Sequence, residues 1–253
     1  ALKLCPGMIL VSPDHHFYHQ KSEDVMALLS NYTPVLEQNS IDEAWLDMTG
    51  TEGLFGDPLN AARRIVDEIR QRLGLPCSIG IAPNKFLSKM AAEMKKPLGI
   101  TELWEEDVPV KLWPLPVKEI HGVGAKTTGK LNAMGIKTIR DLATSDVNLI
   151  VKTFGKGGIE IYQRANGVDE SPVWAHSDED MKSIGRSTTL PEDVSDIGKA
   201  KRVLMELADD VGMTARKHDK KGRTVHITLK YSDFRTVTKQ TTVKATCTTR
   251  EIH

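Results

Sequence analysis

Ser40-Ile41-Asp42-Glu43-Ala44-Trp45-Leu46-Asp47 sets two adjacent carboxylates inside an otherwise apolar, strand-like run. Burying charge without a partner is expensive, so paired acids in such a place answer to a cation or a proton. The alternative is a surface hairpin whose acids face water, since such dipeptides are common in turns. Upstream, Met8 to Ser12 reads as a short buried strand ended by Pro13-Asp14, and Ser22 to about Leu36 has helical spacing with Ser22 as N-cap. Downstream, Asp57-Pro58 opens a helix that runs to about Leu73 and stops at Gly74. Cys77 to Ala82 reads as another buried strand, and Pro83-Asn84 turns the chain into a helix beginning near Lys85. Strand and helix alternate, so this first block is α/β or α+β.

The chain has 253 residues, enough for one to three domains with a real core, and its apolar (40%) and charged (27%) fractions are those of a globular protein. No segment approaches the apolar length of a membrane span, and the N-terminus carries no signal-peptide pattern. Cys5, Cys77 and Cys247 are scattered and odd in number, which argues against a disulfide framework or a zinc site and fits a reducing cytoplasm. His15, His16 and His19 lack metal-ligand spacing and read as surface residues.

The formal net charge is zero, but the charge is segregated. Residues 1–110 hold 10 Lys/Arg against 16 Asp/Glu, whereas residues 111–140 hold 6 against 1. Residues 141–181 hold 3 against 8, and residues 182–253 hold 15 against 9. Two separate basic blocks are therefore available to phosphate, and the neutral total does not argue against nucleic acid.

Three further stretches carry chemistry. The helix expected from Lys85 bears Lys85, Lys89, Lys95 and Lys96 and is closed by Pro97, placing cations where a polyphosphate could be held. Solvated lysines on an amphipathic helix are the competing reading. Ile120-His121-Gly122-Val123-Gly124-Ala125-Lys126 puts glycines ahead of a helix whose first N–H groups and positive dipole end face outward. A dinucleotide-binding loop fails here, because no hydrophobic strand precedes it and no third spaced glycine follows. Lys182 to Leu190 reads as a strand, Ile197 to Lys217 as a long helix, and Thr224 to Tyr231 as a strand with Val225, Ile227, Leu229 and Tyr231 on one face. Arg235 to Thr249 is a second Thr/Val-rich strand. Such faces can lie along a phosphate backbone or simply meet solvent.

The acidic motif resembles the palm motif of the Y-family translesion DNA polymerases. The segment from Pro83 to Gly99 resembles the lysine-rich helix that follows it in that family, with Ser88 standing where the family usually has alanine. Ile120 to Ile136 resembles a helix-hairpin-helix, a module that grips DNA phosphates without reading sequence. Lys182 to Asp193 and Lys230 to Thr238 resemble the family's little finger. The resemblance implies a multidomain α+β chain: a partial palm over 1–104, a small helical thumb with the helix-hairpin-helix over 105–170, a linker over 171–182 that includes the acidic Ser177-Asp-Glu-Asp180, and a truncated little finger over 183–253. It assigns catalysis and metal binding to Asp42 and Glu43, nucleotide binding to Lys96, and DNA binding to Gly122, Gly124, Lys126, Arg186 and Arg235.

The same resemblance implies template-directed DNA synthesis across damage by two-magnesium nucleotidyl transfer, with primer-template DNA and deoxynucleoside triphosphates as partners. It also implies a sliding clamp bound through a C-terminal segment absent here, no membrane, and a bacterial cytoplasmic location. The family's first catalytic strand and fingers have no counterpart in this sequence, so the chain is expected to be an inactive fragment of the polymerase. Two competitors stand beside that reading: a non-catalytic DNA-binding module built from the helix-hairpin-helix and the basic sheet, and a palm-type nucleotidyl cyclase, which would not need two basic blocks.

Overall fold

The computed structural model describes residues 2–175 and 181–253, so the acidic Ser177-Asp-Glu-Asp180 of the expected linker lies outside the described residues. The chain is α+β, and it divides into two compact units, Ala1–His176 and Ser177–His253.

In the first unit, α1 (His15–Leu29) leads to an antiparallel hairpin of β1 (Leu36–Gln38) and β2 (Ala44–Leu46), in which Glu37 lies opposite Trp45. After the short α2 (Glu52–Phe55) comes α3 (Pro58–Leu73), whose Ile65 and Ile69 pack with Leu28, Leu29 and Tyr32 into one core cluster. The punctuation of α3 is as the sequence indicated: the Asp57 side chain accepts from the Asn60 N–H at 2.8 Å, and Gly74 ends the helix in the left-handed region with φ +67°. A parallel pair follows, β3 (Ile79–Ile81) and β4 (Ile100–Glu102), connected through α4 (Lys85–Met94). Gly80 is where β3 presses on α4: an added Cβ would meet the Ser88 carbonyl oxygen at 1.9 Å. Ser88 uses this closeness, its hydroxyl donating to the Gly80 carbonyl at 2.9 Å.

From Val108 onward the unit is helical, with α5 (Ala125–Ala133), α6 (Ile139–Ala143), α7 (Val147–Phe154) and α8 (Lys156–Ala165). A second core cluster runs without interruption from Phe86, Leu87, Met90 and Leu103 into Leu112, Leu131, Ile139, Ile150 and Ala165. The helix carrying the lysines is thus embedded in the same apolar mass as the helices that follow it. Burial of that continuous surface is what fixes its orientation.

The second unit holds α9 (Ile197–Lys217), the antiparallel pair β5 (Gly222–Lys230) and β6 (Thr236–Thr246), and the short α10 (Thr249–Ile252). The long helix and both strands fall where periodicity placed them. Val225 and Ile227 are half-buried on their face of β5, while Leu229 and Tyr231 are exposed.

Three local expectations are corrected. The first helix begins at His15 rather than Ser22, because the Asp14 side chain caps it by accepting from the Phe17 N–H at 2.9 Å. Ser22 lies buried inside it, and it ends at Leu29. Met8 to Ser12 is not a buried strand: Ile9 and Val11 are 86% and 83% exposed. Lys182 to Leu190 likewise forms no strand. Both segments lack a ladder partner among the described residues, and an apolar or Thr-rich pattern makes no strand without one.

Candidate functional site

Asp42 and Glu43 sit in the connection between β1 and β2, so the motif is the hairpin given above as the alternative to a buried strand. The backbone N–H groups of Asn39 and Ser40 both donate to the Glu43 carbonyl, at 2.9 and 3.2 Å, which closes the turn. Within it, the Ser40 hydroxyl donates to Asp42 Oδ1 at 2.7 Å and accepts from the Asp42 N–H at 3.3 Å. This local bonding suits a turn and leaves Asp42 exposed, whereas Glu43 is half-buried. The apolar part of the motif begins one residue later, in β2.

Opposite the hairpin lies α4. The Asn84 side chain caps it, accepting from the Leu87 N–H at 2.9 Å, and Asp169 Oδ2 accepts from the Phe86 N–H at 3.0 Å. Lys85, Lys89 and Glu93 recur every fourth residue and so share one helix face, and Lys96 follows just beyond the helix end. Lys85 Nζ donates to both carboxylate oxygens of Glu37. Lys89 Nζ donates to Glu43 Oε1 and, at 2.8 Å, to Glu93 Oε1, which also accepts from Lys96 Nζ at 2.8 Å. One chain of ion pairs, Glu43–Lys89–Glu93–Lys96, therefore joins three of the residues the sequence singled out or implied: the second acid of the motif, a helix lysine and the lysine before Pro97.

The electrostatics follow from these contacts. The hydrogen bond from Lys89 holds the Glu43 carboxyl below its ordinary value against the opposing effect of partial burial, with Asn39 assisting. Hydrogen bonds from Lys89 and Lys96 do the same to Glu93. For Lys89, burial is the largest single influence and acts downward, but the hydrogen bonds to Glu43 and Glu93 outweigh it and leave the ammonium above its ordinary value. Both carboxylates of the row thus stay ionised at neutral pH.

The glycine hairpin belongs to the same unit. Gly122 has φ +93°, in the left-handed region, and Gly124 is the N-cap of α5, with Lys126 exposed in the first turn. Arg164 Nη1 donates to the His121 carbonyl at 3.3 Å, bracing the hairpin from α8. Burial, aided by the charges of Lys89 and Arg164, pushes the His121 imidazole below its ordinary value. In the second unit, the Arg186 guanidinium donates to the Gly185 carbonyl at 3.0 Å and to Thr214 Oγ1 of α9 at 2.9 Å. Arg235 lies in the connection between β5 and β6 and is paired with Asp233. Glu93, Glu37 and His121 escaped selection by sequence; for Glu93 the four-residue spacing from Lys89 was the available signal.

Comparison with known proteins gives a consistent result. Residues 1–93 match the impB/mucB/samB family, residues 105–136 the HHH motif of that family, and residues 181–253 its C-terminal domain. Among curated relatives, a DNA polymerase IV of Alkaliphilus oremlandii is 59% identical over all of this chain and 64% of its own length. A DNA polymerase IV of Clostridium kluyveri is 58% identical over all of this chain and 63% of its own length. The chain thus spans a little under two thirds of these relatives. Among solved structures, a Y-family DNA polymerase chimera aligns with a TM-score of 0.84 at 28% identity, covering 96% of this chain and 70% of the other. The insertion ternary complex of Dbh DNA polymerase aligns with a TM-score of 0.67, also at 28% identity, over 96% and 70% of the two chains. With three models of one family met in succession and relatives of this similarity, the chain belongs to the bacterial, DinB-like Y-family DNA polymerases.

Proposed function

We propose that this chain forms part of a DNA-directed DNA polymerase that copies damaged template by metal-dependent nucleotidyl transfer. The observation that carries the reading is the row joining the acidic hairpin to Lys96 through Lys89 and Glu93. Carboxylates at one end suit a cation, and a lysine at the other suits a triphosphate. In this reading residues 1–104 are palm, 105–170 thumb, 171–182 linker and 183–253 little finger.

The donor set fits magnesium. Asp42 and Glu43 offer hard oxygen ligands only, and Asp42 is exposed. No cluster of three or more His, Cys, Asp or Glu residues occurs among the described residues. The pair would therefore hold its share of two ions, with waters, nucleotide phosphates or further groups completing the coordination, as magnesium commonly allows. When bound, magnesium would activate the primer hydroxyl and neutralise charge on the triphosphate. The chain's own residues do the rest. Lys89, donating to Glu43 Oε1, keeps that carboxylate ionised. Lys96 supplies a point charge to the triphosphate. Gly122 and Gly124 let backbone N–H groups at the start of α5 approach a phosphate of primer-template DNA, and Lys126, Arg186 and Arg235 add charge. No helix of the described residues is long and apolar enough to cross a membrane. A bacterial cytoplasmic location and a sliding-clamp contact of the full-length protein complete the proposal.

Primer extension by the full-length protein tests it. Asp42→Ala and Glu43→Ala should each lower the rate by roughly a thousandfold or more, several kcal/mol of lost transition-state stabilisation. Near-normal turnover by both variants would remove the acidic pair from catalysis. DNA binding by an unaltered protein that extends no primer would favour the DNA-binding module.

A further inference from the structure

Lys89 and Lys96 are held by one atom. Glu93 Oε1 lies 2.8 Å from each ammonium nitrogen. The two lysines differ in setting: the Lys89 side chain is 14% exposed, enclosed between Glu43 and Glu93, while that of Lys96 is 51% exposed. A surface lysine left to itself samples many rotamers, and holding its flexible stem in one of them is entropically costly. Glu93 removes much of that freedom before any nucleotide arrives. Its own place is secure, because it stands in the last turn of α4, whose opposite face packs Phe86, Leu87, Met90 and Ala91 into the core. Its negative charge is shared between two lysines, and in the row Glu43–Lys89–Glu93–Lys96, neutral as a whole, Lys96 is the exposed cation at the end.

We propose that Glu93 is a positioning residue for the incoming nucleotide: its carboxylate preorganises the Lys96 ammonium in the place where it meets triphosphate. The inference rests on the reading of Lys96 as a triphosphate contact, and it assigns Glu93 a part in that contact without touching substrate. Preorganisation of a flexible charge acts on binding, so the loss should fall on nucleotide KM more than on kcat.

Single-nucleotide incorporation by the full-length protein, with nucleotide concentration varied, reads this. Glu93→Ala should raise the nucleotide KM about three- to tenfold, the order expected from freeing one long side chain, with kcat changed less than KM. Glu93→Gln keeps an acceptor oxygen and should fall between wild type and Glu93→Ala. In Glu93→Ala/Lys96→Ala the KM should match that of Lys96→Ala alone, since residues acting through one contact are not additive. A merely structural role would instead lower kcat or folded yield and add to the Lys96→Ala effect. Unchanged KM in Glu93→Ala, or full additivity, overturns the inference; should Glu93→Ala fail to fold, an unchanged KM in Glu93→Gln together with additivity of Glu93→Gln and Lys96→Ala does so. If Lys96→Ala raises KM while Glu93→Ala leaves it alone, only this inference fails. If Lys96→Ala itself leaves KM unchanged, the triphosphate reading of Lys96 fails and this inference falls with it.

Discussion

Lys85 Nζ lies 2.7 Å from both carboxylate oxygens of Glu37, with the two side chains only 13% and 11% exposed. The pair ties three segments together. Lys85 also stands 4.6 Å from the centre of the Trp45 ring, whose Nε1 donates to the Lys85 carbonyl at 3.1 Å. Glu37 Oε2 accepts from the Trp174 N–H at 2.9 Å, and the Pro172 carbonyl lies 3.4 Å from the Lys85 ammonium. The acidic hairpin, α4 and the segment around Trp174 are therefore locked to one another at a single enclosed charge pair. Lys85→Met, which takes the Lys85 ammonium away from the Glu37 carboxylate, should destabilise the first unit by about 1.5–3 kcal/mol, the order of a hydrogen bond to a charged group. Lys85→Met/Glu37→Leu should regain a good part of that loss, because it removes both desolvated charges. Urea unfolding of the three proteins decides this; equal stability of Lys85→Met and wild type would refute it.

Gly122 and Gly124 should respond differently to alanine. At Gly122 the backbone is left-handed, and an added Cβ would come within 3.0 Å of Arg164 Nη1. Gly122→Ala should therefore lower stability by about 1–2 kcal/mol, the ordinary cost of that conformation for a residue with a Cβ. Gly124 has φ −82°, and no atom of the described residues lies within 4 Å of an added Cβ. Gly124→Ala should melt close to wild type yet bind duplex DNA more weakly, because the new methyl group stands where a phosphate would approach the backbone. Thermal melts paired with a binding titration separate the two outcomes.

DNA binding should be independent of sequence and strongly salt-dependent. Each duplex phosphate neutralised contributes about 0.9 to the slope of log affinity against log salt, so Lys126→Glu and Arg186→Glu should each flatten the line and weaken two unrelated duplexes alike. Arg235→Glu should matter less, since Asp233 already neutralises part of its charge. A slope indifferent to the first two reversals, or a strong preference for one duplex, would contradict the phosphate-binding reading.

The start of α6 supplies a pH dependence. Backbone N–H groups of Thr138 and Lys137 donate to Asp141 Oδ2, at 2.8 and 3.0 Å, while the Thr138 hydroxyl accepts from the Asp141 N–H at 3.1 Å. The two backbone hydrogen bonds, Thr138 first, hold the Asp141 carboxyl below its ordinary value. A carboxyl lowered on folding stabilises fully above its unfolded value, and that contribution is lost as pH falls through the folded value. Asp141→Asn should therefore flatten the acid side of the stability-versus-pH curve and leave the neutral side parallel to wild type. Melts from neutral pH downward check it. Thr138→Ala should cost about 1 kcal/mol at neutral pH by removing the reciprocal cap.

What could be read from the sequence is what lies within a few residues of its cause. Asp57 ahead of Pro58, Gly74 after Leu73 and Asn84 ahead of Lys85 announced helix ends, because a cap is a hydrogen bond across about three residues. The periodicity of Ile197 to Lys217 announced α9 for the same local reason, and the order of motifs announced the family. Where the local signal was polar or lacked a partner, the sequence misled. In the first turn of α1, His15 to Tyr18, Phe17 and Tyr18 are exposed and continue no buried stripe, and Met8 to Ser12 and Lys182 to Leu190 carry strand-like patterns without a strand to pair with among the described residues.

The acidic pair shows where local reading ends. That Asp42 and Glu43 are adjacent, and that lysines follow on a helix, was written in the chain itself. Only the tertiary structure placed Lys89 on Glu43, 46 residues away, Lys85 on Glu37, 48 residues away, and one oxygen of Glu93 between Lys89 and Lys96. Such pairings depend on how α4 is rotated against the β1–β2 hairpin. That rotation is set by the burial of Phe86, Leu87, Met90 and Ala91 on the helix's other face, a cooperative result of packing that no short window of sequence contains.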